Sequence, residues 1–518
     1  MLEVDKILEK CGDFGRMQLI ILILTSLLNV ILAMHYESET IITYVPIFWC
    51  ADGLDSGAAP PNISNCHPLQ TNSTNYSSCK HYKYESYMGY HSFVSETDWI
   101  CDDMWKLNVG SALYSLGSLL GTLVLGYMGD RVGRLPALIL ANLISMVGNF
   151  LTIFGTSLFT FCIFRIINGF ATDTNYSMMY ILLVEHIRPS LRTICLSITV
   201  GIFYCLGAIS APWMSLLLGT WRSFLLFSSI PLIIVPFFYF IVPESVQWLI
   251  SRRKYNQAVA SLRRVAKING HQIEDSVYEE FIMNCKLSQQ NNKIDPNLLH
   301  LFRTQRLRRI LLILAFEMAV ISFSHFIITR KLYTSSRFSY FAWRSIGNTT
   351  ILPAWLIALA FQDIIGRKAM IATSLICCCF FTLMTNIGLF DGASTTDRTS
   401  TLQIMFSLTG ICFCNVAFNT ASLYAVELLP TCVRGQGDAA VDIFGRVVQL
   451  ICAYVLNVNA TFSPLPEIIL VVLTLLSACL SLLLPETTNH TLPCSLEDSE
   501  ELGIDEHWYT FPCIKKGM

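Results

Sequence analysis

The stretch Gly126-Tyr127-Met128-Gly129-Asp130-Arg131-Val132-Gly133-Arg134 places a charged, glycine-rich hairpin between two long apolar runs. A weaker echo stands in the second half, at Asp363-Ile364-Ile365-Gly366-Arg367-Lys368. A short basic turn between apolar segments, recurring about half a chain later, points to two related halves rather than one long domain.

Working outward, the apolar runs on either side are Leu107–Gly126 and Leu135–Phe154. The first half adds Met17–Met34, Leu158–Val184, Ile194–Leu218 and Phe224–Val242. The second half repeats the pattern at Ile310–Thr329, Ile346–Phe361, Ala369–Leu389, Leu402–Val426, Val441–Val458 and Glu467–Leu484. A helix of about 20 apolar residues crosses the hydrocarbon core, so each run reads as a membrane span. The expectation is an all-α integral membrane protein of twelve transmembrane helices in two six-helix, pseudo-symmetric halves. Residues 1–243 form the first half, 244–309 a central loop with short helices, 310–484 the second half, and 485–518 a tail.

Composition agrees. The chain is 53% hydrophobic and 14% charged, and its mean hydropathy of +0.51 is too high for a soluble globular protein. A net charge of −2 provides no overall basic field for nucleic acid. Lys6, Glu9, Lys10 and Arg16 precede the first run, and no small-residue cleavage site ends it, so it reads as a retained span.

The loop from about 37 to 106 carries Cys50, Cys66, Cys79 and Cys101 together with sequons at Asn62, Asn72 and Asn75. Clustered sequons with an even cysteine count fit an extracellular face, with two disulfides whose pairing stays open. Most other cysteines lie in apolar runs, where they act as small buried hydrophobes. The central segment holds Arg252, Arg253, Lys254, Arg263, Arg264, Arg306, Arg308 and Arg309. Positive charge marks the cytoplasmic side, so both termini are expected inside and the glycosylated loop outside the plasma membrane. The tail carries no lipidation signal and reads as cytoplasmic and partly disordered.

Catalytic signatures are missing. The sequence has no phosphate-cradling Gly-x-x-x-x-Gly-Lys-Ser/Thr, no His-Glu-x-x-His and no Gly-x-Ser-x-Gly, and no Cys/His spacing suited to zinc. No enzyme activity, cofactor or metal is expected.

Gly126, Asp130, Arg131, Gly133 and Arg134 match Gly-x-x-x-Asp-Arg-x-Gly-Arg, so the chain resembles the major facilitator superfamily. Further stretches resemble its organic cation, anion and carnitine transporter branch: Pro243-Glu244-Ser245-Val246-Gln247-Trp248-Leu249, and Glu427-Leu428-Leu429-Pro430-Thr431 followed by Arg434 and Gly437. Glu185 with Arg192-Thr193, Trp221-Arg222 and Pro485-Glu486-Thr487 fall in their usual places too. The resemblance covers essentially the whole chain. It departs at Gln247, where the branch has Arg, and at Ile364, which lacks the Arg of the first copy. The resemblance implies the major facilitator fold and a breakable inner gate, drawn from Gly126, Asp130, Arg131, Gly133, Arg134, Glu185, Arg192, Glu244, Asp363, Arg367, Glu427 and Arg434.

Charges inside spans are costly, which makes them site candidates. Arg446 falls where anion and carnitine members of the branch have Arg, so the resemblance implies that it holds a carboxylate or sulfate. Asp442 stands one turn before it, and an Asp442–Arg446 pair leaves the substrate sign open. Tyr36, His35, Leu32, His325, Phe326 and Phe418 match aromatic or cavity positions of the branch, while Asp173, Glu317 and Arg344 are further charged candidates. Trp355 replaces a Lys that some anion members carry.

The expected function is secondary transport of small organic ions by alternating access, leaning to organic anions or carnitine-like zwitterions. Organic cation transport, and a membrane sensor or scaffold without flux, are the alternatives. Expected partners are the lipid bilayer, the organic ion, and a coupling ion or counter-substrate, with no nucleic acid, and the chain is read as a monomer.

Overall fold

The computed structural model describes residues 4–12, 14–51, 66, 79, 81–289, 298–333, 339–385, 397–458, 465–488, 492–493 and 496–502. Its frame is a set of twelve long helical segments. In the first half these are α1 (Arg16–Ile42), α2 (Met104–Arg131), α3 (Arg134–Thr152), α4 (Leu158–His186), α5 (Leu191–Leu218) and α6 (Trp221–Ile241). In the second they are α7 (Gln305–Tyr333), α8 (Tyr340–Ile365), α9 (Arg367–Met384), α10 (Asp397–Leu428), α11 (Arg434–Val458) and α12 (Leu465–Ser481).

Local chemistry sets several ends. Ser157, Thr220 and Ser339 accept hydrogen bonds from the first turns of α4, α6 and α8 as N-caps, and Gly219 closes α5 in the left-handed region. Two helices depart from a plain α reading. α5 passes through a π-helical stretch at Ser197–Tyr204, and α6 through a 3-10 stretch at Ile230–Phe237 containing Pro231 and Pro236.

Among the described residues, nine helices are long and apolar enough to cross a membrane. The other three members of the frame explain themselves. α12 has 17 residues, while α4 and α11 carry the polar and charged positions described below.

Each half centres an apolar core, one including Met178, Leu182 and Trp248 and reaching across to Trp355, Leu423 and Val426 of the second half, the other including Leu314, Trp343 and Tyr424. Within the first half α2 and α4 meet backbone to backbone. A Cβ at Gly121 would lie 1.5 Å from the Phe170 carbonyl oxygen, and one at Gly117 2.3 Å from that of Ile166, so only glycine permits the crossing. The halves meet along α2–α11 and α5–α8.

On the side of the basic loop, the short helices Val246–Ser251 and Tyr255–Asn269 join the first core. Asn269 fastens the start of α1, donating to the Cys11 carbonyl at 3.0 Å and accepting from the Met17 amide at 2.8 Å. Part of the tail is packed: Leu492 and Leu502 are buried, and Thr431 donates through its amide and hydroxyl to the Pro493 carbonyl.

On the other side, strands β1 (Ile47–Cys50) and β2 (Tyr82–Glu85) pair antiparallel, with Cys50 opposite Tyr82. Disulfides join Cys50 to Cys79 and Cys66 to Cys101. Asn62, Asn72 and Asn75 lie outside the described residues. The expected loop start near residue 37 is displaced, because α1 continues to Ile42 and buries Glu37 and Ser38. Beside the strands Glu96 accepts from the Trp221 indole at 2.9 Å and from Arg222. Burial raises the Glu96 carboxyl, but these two donors outweigh it and hold it below the usual carboxylate range.

Candidate functional site

The signature stretch is two helix ends rather than a hairpin: α2 runs through Arg131, and only Val132 and Gly133 separate it from α3. Gly133 has φ of +144°, and a Cβ there would lie 2.4 Å from Oε2 of Glu244. A side chain would displace that carboxylate from the N-terminus of α3, where it accepts from the amides of Arg134 and Leu135 at 3.1 and 3.3 Å. Burial pushes the Glu244 carboxyl up, against the opposing pull of the Ser245 amide and Arg134.

Arg134, wholly buried, donates to Asp130 at 2.5 Å, to Glu185 at 3.3 Å and to the Thr431 carbonyl of the other half at 2.8 Å. Arg434, also from the other half, donates to Glu185 at 2.6 Å. Asp130 accepts from the Gly435 and Gln436 amides at 3.0 and 2.9 Å and from the Gln436 side chain at 3.1 Å, so a carboxylate on α2 caps α11 across the halves. Gly126 makes room for this, since a Cβ would approach the Gly435 carbonyl to 2.8 Å. Trp248 and Arg252 brace the cluster from below by donating to the Asp130 carbonyl at 2.7 and 2.8 Å.

The second copy repeats the geometry. Arg367 donates to Asp363 at 2.5 Å and to Glu427 at 3.3 Å, and its amide donates to Glu486 at 2.9 Å. Asp363, Arg367, Glu427 and Glu486 thus correspond to Asp130, Arg134, Glu185 and Glu244. Asp363 also accepts from Thr193 of the first half at 3.0 Å. This copy is wetter, because the Asp363 side chain is 41% exposed against 0% for Asp130. Arg192, placed relative to Glu185 as Arg434 is to Glu427, is buried. Arg131 lies over the Tyr127 ring.

Between the halves, toward the middle of the long helices, lies a cavity of about 220 Å³. Its wall takes Leu32, Tyr36 and Glu37 from α1, Asp173, Tyr176 and Ser177 from α4, and Tyr204 from α5. The second half adds Met318, Ser322 and His325 (α7), Trp355 (α8), Phe418 (α10), and Asp438, Asp442 and Arg446 (α11).

The cation of this wall is already matched. Arg446 donates to Asp173 at 2.5 Å, across the halves, and reaches Gln449 at 3.3 Å and the Tyr36 hydroxyl at 3.5 Å. Ser118 donates to the other oxygen of Asp173. The partner of Arg446 is therefore Asp173 rather than Asp442, which accepts from Ser177 at 3.4 Å. α11 begins at Arg434, which places Arg446 mid-helix instead of one turn from its start.

At the disulfide side of the cavity Glu37 is 3% exposed and accepts from Arg344 at 2.6 Å and Asn348 at 3.1 Å. Tyr340 donates to the Thr40 carbonyl at 3.0 Å, and its ring stacks on Tyr44. This clasp also joins the halves.

His35 lines the cavity, yet its ring is held between Asn168 at 2.8 Å and Asn149 at 2.7 Å. Phe326 is not in the wall; it packs against the second core. Glu317 is likewise outside the wall, fully buried, and neither carboxylate oxygen has a hydrogen-bond partner among the described residues. Leaving a buried polar group unsatisfied costs about 1–3 kcal/mol. Glu317→Leu is accordingly expected to raise the melting temperature of the purified protein; an unchanged or lower midpoint would reveal a partner for this carboxyl.

Sequence reasoning passed over Glu37, Asp438 and the tyrosines of α4 and α5. A signal existed for Asp438: with Asp442 and Arg446 it recurs every fourth residue, one stripe of a helix. Glu37 had none, because its partners lie far along the chain.

The description "Sugar (and other) transporter" matches residues 61–494. The chain is 25% identical over 539 residues to the "Organic cation transporter-like protein" of Drosophila melanogaster, covering 96% of this chain and 93% of the relative. It is 26% identical over 411 residues to the "Organic cation/carnitine transporter 2" of Homo sapiens, covering 78% and 71%. The major facilitator proton:xylose symporter XylE, solved with 6-bromo-6-deoxy-D-glucose, superposes with a TM-score of 0.64 at 15% identity, covering 93% of this chain and 98% of that one. That likeness shows the shared fold.

Proposed function

Since the chain belongs to the sugar (and other) transporter family, in its organic ion branch, and is a membrane transporter rather than an enzyme, we propose that it carries small organic cations. The observation behind this reading is the charge balance of the cavity wall, where Glu37, Asp173, Asp438 and Asp442 face, among the described residues, the single guanidinium of Arg446. Arg446 is matched by Asp173 and Glu37 by Arg344, which leaves Asp438 and Asp442 as surplus negative charge. The lean toward anions therefore gives way to a cation. Tyr36, Tyr176, Tyr204, Trp355 and Phe418 add ring faces to the wall, and a cation over such a face gains about 0.5–2 kcal/mol. A zwitterion fits as the second reading, because Arg446 remains 28% exposed beside Asp173 and offers its guanidinium to a carboxylate end.

The cycle follows from two contacts sets that join the halves, the Asp130–Arg134–Glu185–Arg434 cluster on the basic side and the Glu37–Arg344 clasp on the other. We read the basic side as cytoplasmic, so the first is the inner gate and the second the outer one. Ion pairs that are strong when dry weaken when water enters, giving each gate a closed and an open state for substrate to bias.

Uptake by cells expressing the chain tests the reading. Labelled tetraalkylammonium ions are expected to show saturable flux, and aryl carboxylates of similar size none. Saturable carboxylate flux alone would overturn it, and no flux of any class, with the protein at the surface, would favour the sensor alternative.

A further inference from the structure

A second cavity, of about 360 Å³, opens at the foot of α7 where it meets the end of α12. Its polar rim is Gln305, Arg308 and Arg309, and its floor is Leu312, Phe316 and Leu480. Charge and apolar surface are thus split along one groove. Both arginines are exposed, and no side-chain hydrogen bond or ion pair holds either of them among the described residues. Arg306 differs, since it donates to the Leu502 carbonyl at 2.6 Å. From Leu298 to Phe316 the chain has no Asp or Glu at all.

Position along the helix gives this split its meaning. The apolar run of α7 starts at Ile310, immediately after Arg309, so the guanidiniums stand at the level where hydrocarbon gives way to headgroups. Leu312, about one turn deeper, is 51% exposed and would face acyl chains. Paired guanidiniums suit a phosphate through parallel hydrogen bonds.

We propose that this groove binds an anionic phospholipid, its phosphate between Arg308 and Arg309 and one acyl chain along Leu312, Phe316 and Leu480. The basic side is the one read as facing the cytoplasmic leaflet, where anionic lipids concentrate. Occupancy ties α12 to the foot of the helix that presents Met318, Ser322 and His325 to the transport cavity. The bound lipid is thereby a structural ligand of the second half, independent of which ion is carried.

The test titrates delipidated, full-length protein in detergent with phosphatidylserine, with phosphatidylcholine of the same chains, and with inorganic phosphate, reading the melting temperature. Phosphatidylserine is expected to raise it, and the other two are not. In R308Q/R309Q the apparent affinity for phosphatidylserine should fall about 30-fold, each arginine near an anionic surface contributing about fivefold. An equal response to phosphatidylcholine, or an undiminished response in the double variant, would overturn the proposal. A response to inorganic phosphate equal to that of phosphatidylserine would also do so, by making the acyl chain irrelevant. Should the double variant fail to fold, native mass spectrometry of the unmutated protein decides, with one retained phosphatidylserine expected and none contradicting.

Discussion

Glu185→Gln is expected to open the basic side of the protein and to slow transport more than it weakens substrate binding. Glu185 is a carboxylate that two arginines from different halves share, Arg134 at 3.3 Å and Arg434 at 2.6 Å, and all three side chains are fully buried. Removing one partner from a buried ionic cluster costs about 3–5 kcal/mol, because the charges left behind have lost their counterion without regaining water. Asp130 does not compensate for Arg434, since its oxygens are engaged by Arg134 and by the N-terminus of α11. When the halves part, both arginines rehydrate, so the loss falls on the closed state alone. A shift of 3–5 kcal/mol is about a hundredfold or more in population. Labelling of a cysteine introduced on the cavity wall, with a reagent applied from the basic side, reads this directly. The variant should label faster than its parent, and equal rates would show that the cluster does not hold the gate. Asp363→Asn should have a smaller effect, as its carboxylate is already 41% exposed and screened.

Asp173→Asn carries the second large effect. In the native cavity the Asp173 carboxylate neutralises Arg446 at 2.5 Å and accepts from Ser118. The amide keeps the shape and loses the charge, leaving the guanidinium free toward the cavity. Affinity for an organic cation should fall about tenfold or more, about 1.4 kcal/mol, and a carboxylate that did not bind before should begin to bind. The double variant Asp173→Asn, Arg446→Gln restores the balance and should recover cation affinity in part. Failure of the single variant to change the preference would remove this pair from the choice of substrate.

Much of the frame was legible because it rests on local chemistry. Apolar runs and the turn at Val132–Gly133 follow from residue type and order, and the motif positions Asp130, Arg134, Glu185, Glu244 and Arg434 do meet in one cluster. What stayed hidden depends on contacts across the chain. Glu37 reads as the start of the polar loop, yet its carboxylate is buried because Arg344 and Asn348, some 300 residues away, satisfy it. Asp173 was visible as an intramembrane charge, but nothing in its neighbourhood of sequence names it as the partner of Arg446 over Asp442, which stands one turn from that arginine. The substrate sign we propose rests on that pairing. The π-helical stretch of α5 was equally out of reach, since Ser197–Tyr204 lies inside one continuous apolar run and no residue in it marks a change of helix type.

The most direct test is equilibrium binding to purified protein of two labelled ligands built on one scaffold, one ending in a trimethylammonium group and the other in a carboxylate. The cation is expected to bind at least about tenfold more tightly, and Asp442→Asn should erase much of that preference. Tighter binding of the carboxylate, lost in Arg446→Gln and indifferent to Asp442→Asn, would contradict a cavity organised around surplus negative charge.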